Sequence, residues 1–465
     1  MPRSYERERM PRATAATSAW RRVPTVTDRP ALARRLGLRD AVVIGLASMI
    51  GAGVFAVWVP AARAAGPWLV AGLAVAAFVA FANASSTGQL AARYPESGGA
   101  YRYGRERLGE WPGFLAGWGF VIGKTASCAA MALTAAAYLV PTAWEKPVAV
   151  LAVLVLAGVN LLGVTRTART AAIIVTVVLV VLGLVIIGGA VGLSQVGPPE
   201  HLPAAAPDLG WYGVLQSAGL LFFAFAGYAR IATLGEEVRD PERTIPRAIA
   251  TSLGIVVALY AVLAALLLLV LGPAALAASD GAPLTDLAVA SGWAWLAPVV
   301  AATAAVAAFG ALLALLAGIG RTSLAMARDR ELPAPLASVH PRTQVPWVAE
   351  IAVAAAIVVL VLVVDLRGAI GFSSFGVLAY YLVANAAALT QPKAERRAPR
   401  WLSAAGAIGC LVLAATLPIT AMLGGLAVFA VGAAYRLLRL RVATRRRGDG
   451  ERAGGSEPAG GPRLG

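Results

Sequence analysis

Charge is scarce in this chain. Only 14% of its 465 residues are Asp, Glu, Lys or Arg, while 59% are hydrophobic. A soluble domain carries about a quarter charged residues, so this composition excludes an ordinary water-soluble core and places most of the chain in lipid. Cysteine is nearly absent: Cys128 and Cys410 both fall in apolar runs, which excludes a disulfide framework. Histidine is equally rare. His201 and His340 lie in separate polar connections, so no metal cluster is expected. Neither a phosphate-binding loop nor a nucleophile motif occurs, and the reading is of a non-enzyme with no metal and no cofactor. The formal charge of +16 comes from arginines in short loops and tails, an orientation signal rather than a nucleic-acid surface. Residues 1–40 contain no early apolar core, so no cleavable signal peptide is expected.

What the chain does have is long apolar runs. Spans of roughly 17–25 residues predict an all-α membrane protein of about twelve helices. They fall near 40–64, 68–92, 113–139, 147–163, 171–193, 211–234, 247–271, 294–320, 347–365, 369–390, 402–417 and 419–437. With both ends inside, the inner loops carry nearly all the arginines, including Arg105, Arg239, Arg328 and Arg397. The outer connections hold only Arg63, Lys146 and Arg367. That bias predicts a multi-pass protein of the cytoplasmic membrane with both termini cytoplasmic. Residues 1–35 and 441–465, rich in Arg, Gly, Pro and Ser, read as disordered basic tails that anionic membrane lipid would attract.

Two of these runs carry a weak point. Ser48-Met49-Ile50-Gly51-Ala52-Gly53-Val54-Phe55 lies mid-helix, and Phe225-Ala226-Gly227-Tyr228 does the same in the sixth run. Glycine lowers the cost of leaving helical geometry. Lipid tolerates a broken helix only where the freed backbone faces protein or a cavity. Gly51 lies roughly 16 Å into its helix and Gly227 roughly 24 Å into one crossing in the opposite sense, both near mid-membrane. Either glycine group alone is better explained as a close-packing contact between helices. The pair, at matching depth, reads as the binding site of a secondary transporter.

The motifs around these breaks carry a resemblance. They are Ser48–Phe55, Pro95-Glu96-Ser97-Gly98-Gly99-Ala100-Tyr101, Gly113–Trp118, Phe222–Tyr228, Glu236–Pro241 with Thr244–Arg247, Ala325–Asp329, and Ser373–Gly376 with Tyr380-Tyr381. In this order, over roughly residues 37–391, they resemble the amino acid–polyamine–organocation superfamily. The resemblance implies an inverted five-plus-five helix repeat with discontinuous helices 1 and 6, and alternating-access transport of amino acids or related amines. The first repeat would be 36–193, the second 211–391, with two further helices in 400–440. It also implies an aromatic gate at Phe223 or Phe225, with Tyr228 beside them; lipid-facing filler remains an alternative for at least one phenylalanine.

Main-chain chemistry gives the expected site its form. Amides freed at Ile50, Gly51, Ala52 and Gly53 open a helix N-terminus, which favours a carboxylate. Carbonyls freed at Ala224, Phe225 and Ala226 accept from an α-ammonium. Lys124, one of only three lysines, lies about 11 residues into the third run. Intramembrane ionisable residues are functional by default, and an ammonium can shed its charge where a guanidinium cannot. Lys124 is therefore expected to pair with the substrate carboxylate or to couple transport to protons; tying to carbonyls for packing alone is the alternative. No acid follows the sixth-helix break, where Ala229 and Arg230 stand, so a strongly cationic substrate lacks a partner. Arg230 is expected at the interface or paired with Glu237. A run without Ser or Thr from Ala304 to Gly320 disfavours a sodium site, leaving proton coupling or exchange. A carrier of another small solute such as a nucleobase, or a non-transporting sensor, are the competing readings.

Overall fold

The computed structural model describes residues 36–94, 98–163, 168–196, 210–235 and 237–454, with 442–454 as backbone only. The first apolar run is not one helix. It divides into α1 (Leu38–Met49), α2 (Gly53–Ala56) and α3 (Trp58–Ala65). Then come α4 (Leu69–Arg93), α5 (Ala100–Leu108), α6 (Glu110–Leu139), α7 (Thr142–Leu161), α8 (Ala168–Val196) and α9 (Gly210–Phe225). A short turn leads to α10 (Ala229–Ala232), followed by α11 (Pro241–Leu266), α12 (Gly272–Ala278), α13 (Pro283–Ala290) and α14 (Ala297–Arg328). The chain ends in α15 (Trp347–Val363), α16 (Leu366–Leu389), α17 (Arg400–Thr416) and α18 (Ile419–Gly454). Among the described residues, 10 helices are long and apolar enough to cross a membrane, and α15 and α17 are shorter apolar helices. This is a multi-pass helical membrane protein, as the hydropathy predicts. Helices dominate because lipid offers no outside partner for a backbone amide or carbonyl.

The boundaries follow ordinary stop signals. Proline opens α11 and α13 at the first helical position, where a missing amide costs nothing. Asp365 caps α16 by accepting from the Gly368 amide at 2.8 Å. Pro418 separates α17 from α18, as the sequence suggests. Two features escape hydropathy. One is α5, a short polar helix with Tyr101 and Tyr103 buried beneath it. The other is the π turn Leu267–Leu271 leading into α12 and α13 beyond the seventh run.

Close helix contacts fix the centre. A side chain on Gly376 of α16 would lie 2.7 Å from the Gly123 Cα of α6, so the two backbones meet directly. One turn further, Ser127 and Ser373 share a 2.7 Å hydrogen bond. This seam holds Lys124 of α6 beside the tyrosine pair of α16. At the Arg-rich end, α18 is clamped by charge. Buried Arg436 bonds Glu331 at 2.8 Å and Glu110 at 3.2 Å, and its guanidinium lies 4.9 Å from the Phe114 ring centre. Arg105 of α5 adds a second 2.6 Å bond to Glu331. Tyr101 donates to Asp329 at 2.7 Å; burial first, and then that carboxylate, hold its phenol well above the ordinary range. At the same end Leu36 pairs with the strand-like segment at Val238: its amide donates to Glu237 and its carbonyl accepts from Arg239.

Candidate functional site

Each break contains a glycine pressed against the other break. Helix α1 stops at Met49 and α2 begins at Gly53, with the bend Ile50–Ala52 between them. Helix α9 stops at Phe225, and a tight turn through Ala226–Tyr228 leads into α10. A Cβ added to Gly53 would meet the Ala224 Cα at 2.7 Å. One added to Gly227 would meet the Ser48 carbonyl oxygen at 2.2 Å and the Met49 amide at 2.6 Å. These two glycines therefore let the two backbones meet. Gly51 instead faces the Ala311 methyl of α14 at 3.0 Å. Beside it a cavity of about 10 Å³, lined by Ala47, Ile50, Val175, Val178 and Ala307, has room for about one water.

The carbonyls freed by the breaks are already engaged. Tyr260 of α11 donates to Met49 O at 2.8 Å and approaches Ala224 O at 3.4 Å, joining the two broken helices through one hydroxyl. Lys124 Nζ and the Tyr381 hydroxyl both reach Ala226 O, each at 3.3 Å. Tyr138 donates to Phe55 O at 3.2 Å, just past the first break. Ile50, Gly51, Ala52 and Gly53 thus lie with Ala224, Phe225, Ala226, Gly227 and Lys124 in one buried locus. Lys124 reaches the sixth-run carbonyl rather than the first-run amides. It lies halfway along α6 and only 8% exposed, deeper than the sequence count because α6 begins three residues early. Among the described residues no carboxylate pairs with it.

The aromatic residues close around this point. Phe223 and Phe225 are both buried, so neither is lipid-facing filler. The Phe225 ring centre lies 5.3 Å from that of Tyr260, and Tyr228 stacks on Tyr381 at 5.0 Å. The Tyr228 hydroxyl and the Asn83 amide nitrogen are both buried. Asn83 in turn accepts from Asn385 of α16 at 2.6 Å, which extends the polar track from Ala226 O across α4 and α16. Sequence reasoning missed Tyr138, Tyr260 and the role of Tyr381. A lone tyrosine in the aliphatic run Leu253–Leu271 was the available signal for Tyr260.

Two expected details take a definite form. Of the two arrangements expected for Arg230, the ion pair with Glu237 does not form; the side chain is exposed, with Nη1 3.5 Å from Thr233 Oγ1. The carbonyls of Ala224 and Ala226, expected to accept from an α-ammonium, accept in this structure from protein donors on three other helices. Of the two histidines, His340 sits in a loop with Nδ1 3.1 Å from Thr343 Oγ1, and His201 lies outside the described residues.

A multi-pass helical membrane protein with two interrupted helices meeting at its centre has the build of a transporter. Residues 40–445 match the amino acid permease family, and the chain belongs to that family. It is 56% identical to an uncharacterized transporter of Mycobacterium tuberculosis over 91% of this chain and 96% of that one. It is also 29% identical to the chloroplastic cationic amino acid transporter 7 of Arabidopsis thaliana, over 76% of this chain and 65% of that protein. The branched-chain amino acid permease BcaP of Bacillus subtilis is 26% identical over 68% of this chain and 72% of its own length.

Proposed function

We propose that this protein is a secondary active transporter of amino acids or closely related small amines in the cytoplasmic membrane. Twelve spans form an inverted five-plus-five repeat over 36–193 and 211–391, with two further helices in 400–440 and both termini cytoplasmic. The observation that carries the reading is the meeting of two broken helices, Gly53 against Ala224 and Gly227 against Ser48, inside an amino acid permease. Backbone freed at both breaks offers amides on one side and carbonyls on the other, matching the two ends of an amino acid. The substrate carboxylate is assigned to Ile50–Gly53 and its α-ammonium to the carbonyls of Ala224–Ala226. Phe223, Phe225 and Tyr228 close over it.

Tyr260, Lys124 and Tyr381 hold those carbonyls in this structure, and substrate binding would exchange with these protein donors. Lys124 is assigned the coupling role, with a proton as the coupled ion or with exchange in its place. Neither family named among the relatives fixes the side chain carried: cationic and branched-chain amino acids both appear. The absence of an acid beside the sixth-run break favours neutral substrates. Purified protein in proteoliposomes, screened with radiolabelled amino acids and amines for uptake and counterflow, tests the reading. Accumulation or exchange of at least one amino acid is the expected result. No flux with any of them, from protein that is folded and correctly inserted, overturns it.

A further inference from the structure

We propose that the site also takes amine-free monocarboxylates, the α-keto and α-hydroxy acids, with Lys124 supplying in cis the ammonium that these ligands lack. The inference rests on the amino acid site just described. Its first support is position. Lys124 Nζ lies 3.3 Å from Ala226 O, the freed carbonyl assigned to the substrate's α-ammonium, and the Tyr381 hydroxyl takes the same oxygen. A carbonyl oxygen has two lone pairs, so these two donors fill it. An incoming amino acid must displace one of them. A ligand without an amine displaces neither, because the ammonium it would need is already in place.

The second support is charge. Lys124 is buried at mid-helix, and among the described residues the other ionisable side chains facing it are Cys128 on its own helix and Tyr381 on α16. None is a carboxylate. A buried cation without a counter-ion is costly, and an anionic ligand relieves that cost. A zwitterion brings no net charge and leaves the Lys124 ammonium uncompensated; a monocarboxylate neutralises it. A simple amine does the reverse and sets a second cation beside the first. The charge balance therefore favours ligands in the order keto or hydroxy acid, amino acid, amine, offset by the hydrogen bonds that the α-ammonium gains when it displaces a donor.

Purified full-length protein in detergent, titrated by calorimetry and thermal shift, tests this with matched probes. One set is L-leucine, α-ketoisocaproate and isoamylamine; the other is L-alanine, pyruvate, lactate and ethylamine. Where the amino acid binds, its keto acid is expected to bind within about tenfold, and its amine to bind more weakly than either. Lys124→Met is expected to weaken the keto acid about tenfold or more, from loss of the buried cation that its carboxylate neutralises, while changing the amino acid less. Lys124→Arg keeps the charge and is expected to keep keto-acid binding. An amino acid that binds while its keto acid does not overturns the inference and leaves the transport reading standing. Equal loss of both ligands in Lys124→Met overturns it too. If that variant does not fold, wild-type protein still decides: an amine that binds as well as its keto acid refutes the charge argument. A full panel of amino acids without binding overturns the site reading itself, and this inference with it.

Discussion

Gly227→Ala is the most informative single change. The added methyl would sit 2.2 Å from Ser48 O, 2.4 Å from Ser48 C and 2.6 Å from Met49 N, all backbone atoms with no rotamer to escape through. Ordinary contact begins at 3.4 Å, so the two broken helices must part by about an ångström. Overpacking of this kind costs about 1–3 kcal/mol, and here it falls on the contact that positions the freed carbonyls. A fall of a few degrees in Tm in detergent is expected, with uptake in proteoliposomes reduced to background. A graded series isolates the cause. Gly53→Ala meets Ala224 Cα at 2.7 Å and should be nearly as harmful, whereas Gly51→Ala meets only the Ala311 methyl at 3.0 Å and should be milder. Gly254→Ala has nothing within 4 Å and should be neutral or slightly stabilising through helix propensity. Wild-type transport by Gly227→Ala, or equal effects at Gly227 and Gly254, refutes the reasoning.

Two further outcomes are expected. Tyr260→Phe strips Met49 O of its 2.8 Å donor and Ala224 O of its 3.4 Å one; a buried unsatisfied carbonyl costs about 1–3 kcal/mol, so Tm should fall and uptake should drop about tenfold. Unchanged Tm and uptake would remove Tyr260 from the site. Arg436→Ala leaves Glu331 buried with Arg105 alone, and breaking a buried pair costs about 3–5 kcal/mol, so thermal unfolding in detergent should shift sharply downward. Arg436→Met combined with Glu331→Gln should recover most of that loss, and a single Arg436→Ala as stable as wild type argues against the clamp.

The helical runs were legible because lipid imposes one rule everywhere: a spanning segment must be apolar and must satisfy its own backbone. Both helix interruptions were legible because glycine advertises cheap unwinding in a context where unwinding is otherwise forbidden. Lys124 stood out by chemistry alone, as an ionisable group too deep to reach water. Composition and pattern thus determined a multi-pass membrane protein, and motif order pointed to its family. Partners were another matter. Gly227 touches Ser48 across 179 positions, Tyr260 reaches Met49 across 211, and Arg436 reaches Glu331 across 105. No local period encodes such meetings. Only the tertiary structure decided that Lys124 faces the Ala226 carbonyl rather than the Ile50–Gly53 amides, and that tyrosines from α11 and α16 bond the same stretch of carbonyls. The physical reason is that a freed carbonyl buried in a membrane protein must find a donor, and which side chain supplies it depends on how helices distant in sequence pack side by side.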